Sequence, residues 1–380
     1  MIGHLHLAGG TCMKALPIAL LAMAVTGCQA NTGHMAPQML SPATAQLVEV
    51  ASFDHQWTGV TVSHSGRIFV NFPRWNDFPG MSVAELKKSR DGRLAPAPFP
   101  NADWQQWKEG DDPKSHFVCV QSVVVDDQDF LWVVDAAGPN MKEIVPGGPK
   151  LLKFDPRTGQ VVARYAYDAP IIEKASYLND VRIDTARQIA YLTDSGAGAI
   201  IVTDLRAGTS RRLLADDPST HSENIDVVID GKPWRREGEK PSVHSDGIAL
   251  SPDGQWLYYH ALTGATLYRV PTVRLNDPSL PPDVLRRDVQ NLGRTGPCDG
   301  MIYDRAGAIF LTGLEDHAIH RYLPAGAAGK TETLLSSPQL QWPDTFAIGP
   351  DGALYVTTSQ IDKQPTPPGP YKLFKVVRGR

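Results

Sequence analysis

Short stretches in which apolar and polar residues alternate recur along this chain, each closed off by Gly, Asp, Asn or Pro. A period of two is the signature of a strand with one face buried, and a Gly-containing break a few residues long between two such runs is the signature of a hairpin. One unit of this kind appears six times: a polar residue, a strand, a tight turn and a second strand. Its copies are Thr58-Gly59-Val60-Thr61-Val62 into Arg67-Ile68-Phe69-Val70, Ser122-Val123-Val124-Val125 into Phe130-Leu131-Trp132-Val133-Val134, and Val181-Arg182-Ile183 into Ile189-Ala190-Tyr191-Leu192. Three more follow, Gly247-Ile248-Ala249-Leu250 into Trp256-Leu257-Tyr258-Tyr259, Met301-Ile302-Tyr303 into Ala308-Ile309-Phe310-Leu311, and Thr345-Phe346-Ala347-Ile348 into Ala353-Leu354-Tyr355-Val356.

Third strands align behind five of these pairs, from Leu151-Leu152-Lys153-Phe154 to Leu373-Phe374-Lys375-Val376, whereas the first unit offers only the weaker Ser82-Val83-Ala84-Glu85. Fourth strands follow in most units, and the last has none. Leu47-Val48-Glu49-Val50-Ala51 at the other end can fill that place. The pattern therefore predicts an all-β, six-bladed β-propeller whose ring is closed by an N-terminal strand completing the last blade, an arrangement that leaves no blade short of its outer strand. The polar residues that begin the repeats are Thr58, Gln121, Asp180, Asp246, Asp299 and Asp344, spaced 45 to 66 residues apart. Four-stranded blades need about 40 to 50 residues, so the surplus lies in insertions, chiefly residues 72–80, 99–116, 136–149 and 216–243. Composition agrees: 33 Gly and 31 Pro against 21% charged residues favour turns and short strands over long helices. The net charge of −4 provides no basic stripe for nucleic acid.

The N-terminus has a different character. Lys14 precedes an apolar run from Ala15 to Val25 that is too short to span a bilayer and ends in Val25-Thr26-Gly27-Cys28. That ending resembles a bacterial lipobox, which implies a signal peptide over 1–27 and a lipid on Cys28. Residues 28–46, rich in Ala, Pro, Gln and Thr, read as a flexible tether, and 47–380 as the propeller. The expectation is an exported chain, secreted or lipid-anchored on the periplasmic side, with Gln29 after the cysteine favouring the outer membrane; its contact with the membrane is through the anchor alone, and it acts as a monomer. Cys119 and Cys298 fall in blades two and five, opposite each other, and are expected as buried free thiols.

Several stretches together resemble the major royal jelly protein and yellow family: Ile68-Phe69-Val70-Asn71-Phe72-Pro73-Arg74-Trp75, Leu131-Trp132-Val133-Val134-Asp135, Leu178-Asn179-Asp180-Val181-Arg182-Ile183-Asp184, Ala190-Tyr191-Leu192-Thr193-Asp194-Ser195 and Ser245-Asp246-Gly247-Ile248-Ala249-Leu250-Ser251. The resemblance spans roughly residues 50 to 360. It implies a secreted six-bladed propeller with a ligand pocket at one mouth of the channel, biogenic amines being bound by some insect members. Bacterial members carry a dopachrome-conversion label that this sequence does not itself demonstrate.

Inner strands of a propeller converge, so the six repeat-starting residues should crowd the channel mouth. Four carboxylates held together repel and call for a cation, a cationic ligand or protonation. Three functions compete for that ring. In the first, the carboxylates meet the ammonium of an aromatic amine, or the mouth takes a quinone-like compound, with Asn179, Gln121, Thr58 and Trp75 beside them and Trp57, Trp104, Trp107, Phe117 and Tyr177 as further candidate walls. Packing between blades is the competing role for each aromatic. In the second, Asn179, Asp246 and Asp299 hold Ca²⁺ or another divalent ion for a gluconolactonase-like hydrolase, or the site is a dopachrome-type isomerase. Asp246-Gly247 and Asp299-Gly300 are similar to the Asn-Gly and Asp-Gly of the regucalcin and gluconolactonase propellers, but Thr58-Gly59 stands where that family has Glu-Gly. The third is a protein-interaction scaffold. The histidines have no zinc spacing, and neither a nucleophile elbow nor a nucleotide fingerprint occurs.

Overall fold

A computed structural model describes residues 40–75, 78–325 and 328–378. The expected signal peptide, Cys28 and the part of the expected tether before residue 40 lie outside the described residues. Six four-stranded antiparallel sheets form the fold, each beginning with an inner strand. These inner strands are Val60–Val62, Val120–Val125, Leu178–Asp184, Ser245–Leu250, Met301–Tyr303 and Pro343–Ile348. Each touches the next, and the sixth touches the first, which makes the ring of a six-bladed β-propeller.

Closure follows the expected route. Ala45–Phe53 pairs antiparallel with Tyr371–Arg378, from Ala45 opposite Arg378 to Phe53 opposite Tyr371, and becomes the outer strand of blade six. It begins two residues earlier than the alternation in the sequence suggested. Phe53 then packs on Phe72 and Trp57 at ring-centroid separations of 5.5 and 6.4 Å, so that the last blade is fastened to the first by aromatic burial as well as by the strand ladder. Blade one, whose third strand was weak in the sequence, has both outer strands, Val83–Lys88 and Leu94–Pro98. The weakness arose because Glu85 reads as polar yet is buried, its carboxylate taken bidentately by Arg67 at 2.8 Å.

Two sequence devices hold neighbouring blades at one spacing. The first is glycine: a Cβ on Gly247 would run into the Asp299 carbonyl, and one on Gly300 into the Asp344 carbonyl. The Asp-Gly pairs exist because adjacent inner strands approach too closely there for any side chain. The second is a hydroxyl on the second strand. Thr193 Oγ1 accepts from the Asp180 N–H at 3.1 Å and donates to the Asp246 carbonyl of the next blade at 2.7 Å. Thr357 plays the same part between Thr345 and Thr58, and the Asn71 amide does so between Gly59 and Gln121. Buried backbone groups that the sheets leave over are thereby paired across the seams.

Thr193→Val keeps the shape and removes both bonds. Each group left unpaired costs about 1–3 kcal/mol, so chemical denaturation should show a loss of several kcal/mol with an unchanged slope; an unaltered midpoint would remove the seam role from Thr193.

Candidate functional site

One end of the channel opens into a cavity of about 610 Å³. Inner-strand starts contribute Gln121, Asn179, Asp246, Asp299 and Asp344 to its lining, the aromatic side chains Trp75, Tyr177, Trp234 and Trp342 border it, and charged loop residues including Lys142, Glu143, Lys174 and Arg236 complete the rim. The mouth loops owe their positions to buried carboxylates at the ends of second strands. Asp194 accepts from the backbone N–H of Tyr177 at 2.8 Å and from Arg212 at 2.6 Å. Asp135 does the equivalent for Val118 and Cys119, with Lys150 at 2.6 Å as its counter-ion. Loops so anchored give the first residues of the inner strands little freedom, which is what a preorganised site requires.

The lining side chains form one directed hydrogen-bond chain. Trp75 Nε1 donates to the Tyr177 hydroxyl at 3.0 Å, and that hydroxyl donates to Gln121 Oε1 at 3.0 Å. Gln121 Nε2 then donates to Asn179 Oδ1 at 3.3 Å, and Asn179 Nδ2 to Asp246 Oδ2 at 2.7 Å. Asp246 in turn accepts a hydrogen bond from the Asp299 carboxyl, and Asp299 Oδ2 accepts from Trp342 Nε1 at 2.6 Å. The donors on both sides thus point at the acidic pair.

Burial dominates the electrostatics. It holds Asp246 and Asp299 well above the ordinary carboxylate range, the neighbouring carboxyls adding to the shift in both cases. Burial also pushes Asp344 up to about 7, against the Thr345 hydroxyl that donates to it at 2.9 Å. The Asp246–Asp299 pair shares a proton, so its titration belongs to the pair. A pair that holds one proton between two carboxylates, and so keeps an acceptor for a cation, is the state this geometry favours.

Two of the expected ring residues stand apart from the cavity. Thr58 is buried in the seam, its hydroxyl donating to the Gln121 carbonyl at 3.3 Å and accepting from Asn71 at 2.9 Å. Asp180 sits 3.6 Å from Arg182, whose guanidinium also donates to the Val181 and Met301 carbonyls, 2.7 and 2.5 Å away. Of the candidate aromatics, Trp75 and Tyr177 face the cavity, whereas Trp57, Trp104 and Phe117 pack between blades. Trp107 packs with Val118 and Ala137. Trp234, from the 216–243 insertion, and Trp342 were missed; their rings meet edge to face at 4.7 Å. Cys119 and Cys298 are free and buried, Cys119 lying 3.7 Å from the Tyr177 hydroxyl.

The donor set does not suit a divalent ion as it is arranged. Asn179 spends its carbonyl oxygen on Gln121 and turns its NH₂ toward Asp246, while Trp342 occupies an oxygen of Asp299. Among the described residues, no cluster of three or more His, Cys, Asp or Glu converges as a metal-holding group.

Comparison with known proteins places these features in context. The sequence family described as major royal jelly protein matches residues 118–366, well over half of the chain. Major royal jelly protein 1 of Apis mellifera is 25% identical over 67% of this chain and 59% of its own length. Major royal jelly protein 5 of the same species is 27% identical over 57% of this chain and 35% of its own, and protein yellow of Drosophila yakuba 25% over 57% and 42%. The chain therefore spans less than two thirds of the length of these relatives. Among solved structures, a gluconolactonase from Xanthomonas campestris superposes with a TM-score of 0.54 at 14% identity, covering 89% of this chain and 91% of that one. A calcium-binding protein, regucalcin, from Agrobacterium tumefaciens does so with a TM-score of 0.51 at 16% identity, covering 86% and 92%. At such identities the likeness is one of fold.

Asp344 gives a pH test. Its carboxyl keeps a proton in the fold up to about pH 7, whereas the unfolded chain loses that proton near pH 4 (roughly the free Asp value). The native state then binds more protons than the unfolded one, so this group's contribution to stability falls as pH climbs from about 4 toward 7. Asp344→Asn should be progressively stabilised relative to the wild type over that interval in thermal melts; a difference that stays flat with pH would contradict the assignment.

Proposed function

The chain belongs to the major royal jelly protein family, and from that premise we propose that the channel-mouth cavity binds a small aromatic amine. The observation that carries the reading is the union, in one cavity of about 610 Å³, of a buried Asp246–Asp299 pair with raised proton affinity and the rings of Trp75, Tyr177, Trp234 and Trp342. Pockets of about 300–1,000 Å³ suit molecules of that size. An ammonium group would take the proton's place beside the pair, the proton leaving to solvent, while the aromatic faces take the ring and part of the positive charge.

A second reading has its own support. A carboxyl pair sharing one proton can deliver a proton to one atom of a bound quinone-like ring and receive another, which is the need of a dopachrome-type isomerase. The lactonase alternative rests on a divalent ion that the present donor arrangement does not suit. We also read the chain as exported and anchored through a lipid on Cys28, on the strength of the N-terminal sequence alone.

Calorimetric titration with tryptamine and dopamine, with Ca²⁺ in a parallel series, tests the main reading. Amine affinity should rise with pH, below the amine's own pKa, as the pair gives up its proton, and Asp246→Asn should weaken it at least about tenfold. Ca²⁺ binding with no heat from amines would overturn this reading. Dopachrome colour that fades faster with the wild type than with Asp246→Asn would instead favour the isomerase. For the anchor, Cys28→Ser should abolish fatty-acid labelling and release the protein from the membrane fraction; persistence of the label would place the lipid elsewhere.

A further inference from the structure

Resting on that amine reading, we propose that the natural ligand of the cavity also carries a carboxylate, at the end of its aromatic frame remote from the basic nitrogen, and that Arg236 receives it.

The case begins with how this protein treats its other buried and half-buried guanidinium groups. Arg67 is paired with Glu85, Arg182 with Asp180, Arg212 with Asp194 and Glu173, and Arg321 with Glu332. Arg74, which has no carboxylate partner, donates to the Val118 carbonyl at 3.0 Å. Arg236 departs from the rule. It lines the cavity and is half-buried, yet among the described residues its guanidinium has neither an ion-pair partner nor a hydrogen-bond acceptor. Its side-chain neighbour is the Trp234 ring, with the guanidinium carbon 5.6 Å from the centroid. Burial lowers its proton affinity and outweighs the opposing pull of the Tyr177 hydroxyl and the exposed Glu237 carboxylate, neither of which pairs with it. Such a group is costly to hold against a cavity wall unless something arrives to pair with it.

The position of Arg236 is tied to the acidic pair through solid contacts. Trp342 donates to Asp299 at 2.6 Å, the Trp234 ring meets the Trp342 ring at 4.7 Å, and Arg236 lies against Trp234. Two indoles therefore stand between the anionic floor and the cationic wall, and both line the cavity. A ligand that satisfied both poles would lie along the indoles with its charges at opposite ends. An α-amino acid, with ammonium and carboxylate on one carbon, cannot reach both. Lys142, Lys174 and Glu143 also border the cavity, but they are exposed and retain their water, so they specify no geometry. The planar fork of Arg236 is the group suited to bidentate capture of a carboxylate.

Three probes on one phenethylamine frame separate the possibilities: phenethylamine, 4-(2-aminoethyl)benzoate and phenylalanine, titrated into the wild-type protein and into Arg236→Gln, with thermal melts to establish that the variant is folded. The proposal expects 4-(2-aminoethyl)benzoate to bind the wild type at least about tenfold tighter than phenethylamine, the scale of one charge-assisted contact, with phenylalanine gaining no such advantage. In Arg236→Gln the ratio of the first two affinities should collapse toward one, and Arg236→Lys should recover part of it. A wild-type ratio near one, or a ratio that survives Arg236→Gln, would overturn the carboxylate assignment while leaving amine binding in place. Failure of every probe, tryptamine and dopamine included, would overturn the amine reading and this inference with it.

Discussion

Everything distinctive about this molecule follows from the requirement that six inner strands converge on one line. Convergence brings the strand starts together, leaves no room for a Cβ at Gly247 or Gly300, and strands backbone groups at three of the seams for Thr193, Thr357 and Asn71 to pair. It also gathers Asp180, Asp246, Asp299 and Asp344 into a space from which water is largely excluded. The ring that makes the fold therefore also creates its electrostatic tension, and two responses to that tension are visible. Asp180 is matched by Arg182, while the Asp246–Asp299 pair keeps a proton. The matched carboxylate stands outside the cavity lining and the protonated pair within it, which is the division expected if one is structural and the other open to a ligand.

Much of the architecture could be read directly from alternation and turn chemistry, because strand periodicity is a local property and each blade repeats it. The closing role of the Ala45–Phe53 strand could be deduced because the last unit lacked an outer strand and the N-terminus had one to spare. Blade one was harder to read since Glu85 breaks the apolar pattern, and only the position of Arg67, eighteen residues earlier, explains its burial. Of the repeat-starting residues, Gln121, Asp246, Asp299 and Asp344 line the cavity, and in the third blade Asn179 does so in place of Asp180. Thr58 shares their place in the repeat, but its short hydroxyl is consumed by the seam.

Residues supplied by loops carry no period, and this is where reading from sequence failed. Trp234 and Arg236 belong to the long insertion at 216–243, whose fold is set by contacts with other blades rather than by its own pattern. Trp342 did have a usable signal, lying two residues before an inner-strand Asp, just as Tyr177 lies two residues before Asn179. An aromatic immediately ahead of a convergent polar residue has little choice but to border the mouth. Trp57, also just ahead of an inner strand, shows the limit of that rule, because Phe53 and Phe72 draw it into the gap between blades.

The outermost strand of blade six has a topological consequence. Ala45 and Arg378 are direct partners across the ladder, so the two ends of the propeller lie side by side. A linker of a few residues could splice them, and the chain could then be opened at a surface turn between other strands without cutting any sheet. In that sense the propeller has no inherent first blade: the order in which its six units are encoded is one of several cyclic orders compatible with the same ring, and the position of the break is a property of the gene rather than of the fold.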